Sequence, residues 1–107
     1  MHLHEMQAEV YAWAERKGWL EKPVPVTEQI ALLHSEVSEA LESFRNNEET
    51  SWTDEHGKPQ GLASEYADVL IRLLHYASLQ GFDLEAEYMR KMQYNENRPY
   101  RHGGKQV

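Results

Sequence analysis

The chain has no cysteine. Disulfides and thiolate zinc sites are therefore excluded, and the pattern fits a reducing cytosol. His34 and Glu36 form a His-x-Glu pair, but the zinc-deaminase signature that begins this way needs cysteine ligands further on. Long apolar runs are also missing. Nothing approaches the roughly 20 residues that a membrane span requires. The opening "MHLHEMQAEV" lacks the apolar centre of a signal peptide. A soluble cytoplasmic protein is expected. Basic residues are scarce, and the net charge of -7 argues against general nucleic-acid binding. The shortage is uneven. Residues 1–89 hold 6 Lys and Arg against 17 Asp and Glu, whereas residues 90–107 hold 5 against 1. An acidic body and a basic tail suit a cation and an anion respectively, although a solvated tail explains the second equally well.

What is present is helical periodicity in a chain of 107 residues, long enough for one domain and one core. Leu3, Met6, Val10, Trp13 and Ala14 predict a first helix over about 3–17, stopped at Gly18. "WLEKPVPV", with Pro23 and Pro25, reads as an extended connector. Thr27 is the expected cap of a second helix reaching about Asn46, with Ile30, Leu33, Val37, Leu41 and Phe44 as its apolar stripe. "NNEETSWTDEHGKPQG", residues 46–61, reads as a long polar loop. A third helix is predicted over about 62–80, closed by Gly81. Asp83 should cap a fourth, which Pro99 ends at or before Arg98. No β-hairpin signal, repeat or low-complexity tract is apparent. The expected fold is all-α, a four-helix arrangement in a single domain over 1–107. The third helix is apolar over about 200° of its circumference at about 100° per residue. Covering it calls for a partner, so a homo-oligomer is expected.

Two acid pairs interrupt these greasy helices. Glu36 and Glu39 stand i and i+3 in "SEVSEALES", and Glu65 and Asp68 stand i and i+3 in "EYADVLIRLLHYA". The sequence therefore reads E-x-x-E, 25 intervening residues, then E-x-x-D. Antiparallel helices would bring the pairs face to face. Enclosed carboxylates repel one another and lose hydration, and a hard divalent cation relieves both problems. Mg²⁺ takes oxygen ligands and keeps positions open for water and phosphates. Without cysteine or a tight histidine cluster, zinc suits the chain less well. The ordinary alternative is exposed helix acids, with Glu65 favouring the helix dipole and Asp68 pairing Arg72 at i+4.

At these residues the sequence resembles the MazG-like, all-α nucleoside triphosphate pyrophosphohydrolase superfamily. "EQIALLHSEVSEALESFR" and "SEYADVLIRLLHYA" are similar to its two metal helices. "KMQYNENRPYRHGGK" is similar to the tail of small phage and bacterial members. The likeness runs from "KGWLEKPV" to the tail and is weakest in the long loop. It implies Mg²⁺-dependent hydrolysis of nucleoside triphosphates, with dNTPs or noncanonical NTPs as the expected substrates, to the monophosphate and pyrophosphate, with Mn²⁺ as a substitute metal. It implies nucleotide-pool housecleaning by a homodimer or homotetramer. Glu36, Glu39, Glu65 and Asp68 would be the metal ligands. Lys91, Asn95 and Arg98, at i, i+4 and i+7 on the last helix, would bind phosphates. Either Glu36 or Glu39 would accept the proton of the attacking water. Two other readings stand beside this one: a phosphoribosyl-ATP pyrophosphohydrolase, and a non-catalytic helical interaction module of antitoxin-like or regulatory type.

Other residues make smaller claims. Trp52, in the polar loop, is a candidate lid over a base. Trp13 and Trp19 read as packing, and Tyr66 and Tyr76 likewise. His34 and His75 read as satisfied structural histidines. "RHGGK", residues 101–105, is a candidate phosphate fold-over, since its glycines let backbone N–H groups approach closely.

Overall fold

The computed structural model describes residues 1–100. It contains α1 (Leu3–Arg16), α2 (Val26–Arg45), a short hairpin of β1 (Trp52–Thr53) and β2 (Pro59–Gln60), α3 (Leu62–Leu79) and α4 (Leu84–Glu96). The chain is thus mostly helical, as its periodicity predicts. Among the described residues, no helix is long and apolar enough to cross a membrane. The basic segment at 101–107, with its candidate phosphate contacts, lies outside the described residues.

Helix ends follow local chemistry. Gly18 (φ 77°) closes α1 with paired bonds from the Gly18 N–H to Glu15 O (3.1 Å) and from the Trp19 N–H to Ala14 O (2.9 Å). Gly81 closes α3 in the same way, through Ser78 and Ala77. Both are the left-handed C-terminal motif that glycine favours. Asp83 caps α4, its Oδ1 accepting from the Ala86 N–H at 3.0 Å. The start of α2 corrects the expectation of a Thr27 cap. The helix begins at Val26, and the Pro25 carbonyl accepts from the Gln29 N–H at 3.0 Å. Proline's fixed φ starts the turn two residues earlier than the hydroxyl would. Gln29 is buried, donates to Val24 O (2.9 Å) and accepts from Gln80 (2.8 Å). One amide therefore ties the connector, α2 and the end of α3 together.

The hairpin is a second correction. Trp52 pairs with Gln60 and Thr53 with Pro59, antiparallel. Asp54 builds its five-residue turn. Its Oδ1 accepts from the N–H groups of His56 and Lys58, each at 2.9 Å, and Gln60 donates to Oδ2 at 3.1 Å. No two-residue Asn-Gly signal announces such a turn; an Asx-type aspartate and Gly57 make it instead. Gly61 (φ 105°) then turns the chain into α3. A Cβ there would overlap the Glu49 and Thr50 carbonyls, and Thr50 O accepts from the Ala63 N–H at 2.9 Å.

α3 is the central element, packed on α2 and α1, while α4 rests on α1. α1 is joined to α4 by His4 Nδ1 to Glu85 (2.7 Å), and to the turn before α4 by the Gln7 amide, which donates to Phe82 O (2.8 Å). The buried set is small: Val10, Ala14, Ala40, Leu74, Tyr76 and Ala77, with the polar Gln29, Ser43 and His75. The α2 stripe differs from expectation. Ile30, Val37, Leu41 and Phe44 are 50, 55, 48 and 67% exposed. α2 instead turns inward the row Gln29, Glu36, Ala40 and Ser43, about 100° around the helix. Small residues let α3 approach closely there, and the bulky stripe is left outside. Tyr66, Leu70 and Leu73 are likewise exposed on α3. The radius of gyration, 16.6 Å, exceeds the about 13 Å typical of a compact chain of this length.

Candidate metal centre

The inward row of α2 carries Glu36, and the first two turns of α3 carry Glu65 and Asp68. These three offer carboxylate oxygens that all lie within 4.8 Å of one another. Gly61 sets where α3 begins, and so where its first acids stand. All three acids are half-buried. Burial raises the pKa of Glu65, and the charges of Asp68, Glu39 and Glu36 raise it further. Asp68 is raised by burial first and by Glu36 second. One Glu65 oxygen, Oε2, is buried with no hydrogen-bond partner. Desolvated, mutually repelling oxygens with an orphaned acceptor fit a hard dication. Glu36, Glu65 and Asp68 would hold it.

Glu39 is exposed and outside this set, although its charge is felt by Glu65. It follows Glu36 by three residues, about 60° around the helix and away from the inward row. Two cations that the acid pattern did not single out also act here. Lys58, from the hairpin turn, opposes the upward shifts of both Glu65 and Asp68. Arg72 donates from Nε to Glu36 Oε1 at 3.1 Å. The i+4 spacing suggested Asp68 as its partner; in the fold the guanidinium reaches across to α2. The signal for Arg72 was its place on the same polar stripe as Asp68. Lys58 carried no signal, because its position depends on the hairpin.

Arg72 leads away from the acids into a cavity of about 380 Å³ between the connector and α3. Its guanidinium lies 5.3 Å from the Trp19 ring centroid, and Nη1 donates to the Tyr76 hydroxyl at 3.3 Å. Trp19 meets Trp13 edge-on at 4.6 Å and His75 at 5.9 Å. His75 is 4% exposed, and its Nδ1 is buried without a partner. His75 is thus buried as a structural histidine would be, but no protein group bonds its Nδ1. Burial, and then Arg72, lowers its pKa, so the ring is neutral at pH 7.

The remaining candidates lie elsewhere. Lys91, Asn95 and Arg98 are exposed on and just beyond α4, whose packing partner is α1. Arg98 lies over the Tyr94 ring at 5.9 Å, and Asn95 approaches the Met92 sulfur at 3.8 Å. The fold does not gather these three with the acids within one chain. Trp52 sits in β1, 37% exposed. His34 is exposed, Trp13 half-buried, and Tyr76 buried. No family model, no curated protein and no solved structure matches the chain.

Proposed function

We propose that the protein is a Mg²⁺-dependent nucleoside triphosphate pyrophosphohydrolase that works as a homo-oligomer in nucleotide-pool housecleaning. The observation that carries this reading is the convergence of Glu36, Glu65 and Asp68 from two helices around an unpartnered, buried Glu65 oxygen. The resemblance to the MazG-like superfamily supplies the reaction. A bound Mg²⁺ would supply charge neutralisation for the polyphosphate and acidify a water.

The chain's own residues supply the rest. Glu36, Glu65 and Asp68 hold the cation. Arg72 orients the Glu36 carboxylate by its Nε bond. Glu39 stays outside the ligand group with solvent access, and so is the acid suited to accept a proton from the attacking water. Water adds across the phosphoanhydride between the α- and β-phosphates, and pyrophosphate leaves. Lys58, whose charge opposes the upward pKa shifts of Glu65 and Asp68, is suited to assist the departing charge.

Oligomerisation is supported by the exposed stripe Ile30, Val37, Leu41 and Phe44 on α2, and by the exposed Leu70 and Leu73 on α3. Single chains rarely leave so continuous an apolar face uncovered. In that assembly, Lys91, Asn95 and Arg98 serve the phosphates bound at the acids of a neighbouring copy.

The test is pyrophosphate release from canonical and modified (d)NTPs, with Mg²⁺ and with EDTA. Metal-dependent release that is lost in Glu65→Gln and Asp68→Asn is the expected result. Release from phosphoribosyl-ATP alone would move the protein to that chemistry. No release from any substrate would leave a helical interaction module, with the α2 stripe as its binding face.

A further inference from the structure

Arg72 bonds one acid of the candidate metal group directly, its Nε donating to Glu36 Oε1 at 3.1 Å. A guanidinium keeps its charge at every physiological pH. This one is held on two further sides. Nη1 donates to the Tyr76 hydroxyl at 3.3 Å, and the Trp19 ring centroid lies 5.3 Å from the central guanidinium carbon. The three partners come from α2, from α3 and from the connector, so the charge is fixed beside the acids. The pair is also enclosed, with the Arg72 side chain 31% exposed and that of Glu36 13%. Attraction between them is less screened than at an open surface. Asp68, one turn before Arg72 on α3, feels the same charge, and Lys58 adds a second cation from the hairpin turn. Glu36 is at the same time one of the three carboxylates whose oxygens converge. A dication placed among those oxygens is repelled by the guanidinium bonded to one of them.

We infer that Arg72, beyond orienting Glu36, is a built-in counter-ion of the acid cluster that competes with the metal ion and weakens the cluster's hold on it. Removing one partner of an enclosed ion pair leaves the other charge uncompensated. Arg72 therefore stabilises the metal-free fold and lowers metal affinity through the same contact. A substrate polyphosphate relieves the conflict, because its oxygens accept from Arg72 and Lys58 while the carboxylates keep the ion. The cluster is thus suited to a cation that arrives together with its anion. The competition rests on the proposed metal centre, and only this last consequence rests on the hydrolytic reaction as well.

Titration of Mg²⁺ alone into the intact protein, followed by calorimetry and by Tm, tests the competition without turnover. Arg72→Met keeps an apolar stem beside Trp19 and removes the charge. It should bind Mg²⁺ about five- to tenfold more tightly than wild type, the scale set by one partly screened charge beside a dication. Its Tm in EDTA should fall. Arg72→Gln, which keeps a donor for Glu36 but no charge, should shift affinity in the same direction, and it decides the matter if Arg72→Met does not fold. Arg72→Lys keeps the charge without the planar fork and should stay within about twofold of wild type. Weaker or unchanged Mg²⁺ affinity in the two uncharged variants would overturn the inference, as would equal tightening in Arg72→Lys or no binding to any of the proteins. A purely structural arginine would lower Tm in EDTA without tightening the metal. Pyrophosphate release from (d)NTPs is measured in parallel. Metal-dependent release by wild type, with no tightening in the uncharged variants, sinks the counter-ion and leaves the hydrolase standing. Tighter Mg²⁺ binding in those variants, with no release from any triphosphate by wild type, sinks the hydrolase and leaves the counter-ion.

Discussion

Glu65 stands in the first turn of α3 with one oxygen enclosed and three other acids acting on it. Its raised pKa, and that of Asp68, fix the sign of a pH effect. A carboxylate whose folded-state pKa lies above its unfolded value makes the native state bind more protons. Stability is then lost as pH rises from the ordinary carboxylate range through the raised value. The Tm advantage of Glu65→Gln over wild type should be near zero at acidic pH and grow as pH rises toward neutrality. A constant difference across that range would contradict the assignment. Mg²⁺ held by the native acids, as proposed, should raise the wild-type Tm at pH 7, but not that of Glu65→Gln or Asp68→Asn. A differential scanning measurement with and without the ion checks this. The sequence showed these acids by type and spacing. It did not distinguish Glu36 from Glu39, because that depends on which row of α2 turns inward. Nor did it show that Arg72 reaches Glu36 rather than Asp68, since i+4 spacing sees only contacts within one helix.

At the scale of elements, the junction between hairpin and α3 carries the site. Gly61 has positive φ, and a side chain there would meet the backbone of residues 49 and 50. Gly57 also has positive φ (80°), but nothing lies within 4 Å of a Cβ built there. Gly57→Ala should therefore cost about 1 kcal/mol, from the left-handed backbone alone. Gly61→Ala adds a backbone clash and should cost more, about 2–4 kcal/mol. It should also weaken metal binding, because the first turn of α3 must shift. Urea denaturation and Mg²⁺ titration of the two variants check the ranking. Helix lengths and the stops at Gly18 and Gly81 were legible, because they rest on local propensity and left-handed closure. The hairpin was not, since one aspartate makes most of it through bonds whose partners only the folded turn defines.

For the whole molecule, the question is what covers the outer face of α2. Val37 and Leu41 are about half exposed in the single chain, and the proposed oligomer buries them. Val37→Asp or Leu41→Asp should shift the protein toward monomer in analytical ultracentrifugation, with helical circular dichroism per chain largely kept. Mixing Glu65→Gln chains with Arg98→Ala chains, each expected to be inactive alone, should restore part of the wild-type turnover if α4 of one copy serves the acids of another. Absence of rescue in a confirmed mixed oligomer would confine each site to its own chain.

The helical class, the glycine-closed ends of α1 and α3 and the two acid pairs were legible in the sequence alone, because each depends on residue type and on spacings of three or four along one chain. The tertiary structure decided which face of α2 meets α3. The small residues of the Gln29, Ala40 and Ser43 row allow close approach, whereas the bulkier stripe holds a neighbour off. That choice of face placed Glu36 with Glu65 and Asp68, turned Glu39 toward solvent, left the Ile30–Phe44 stripe outside, and joined Arg72 to both the acids and the cavity beside Trp19.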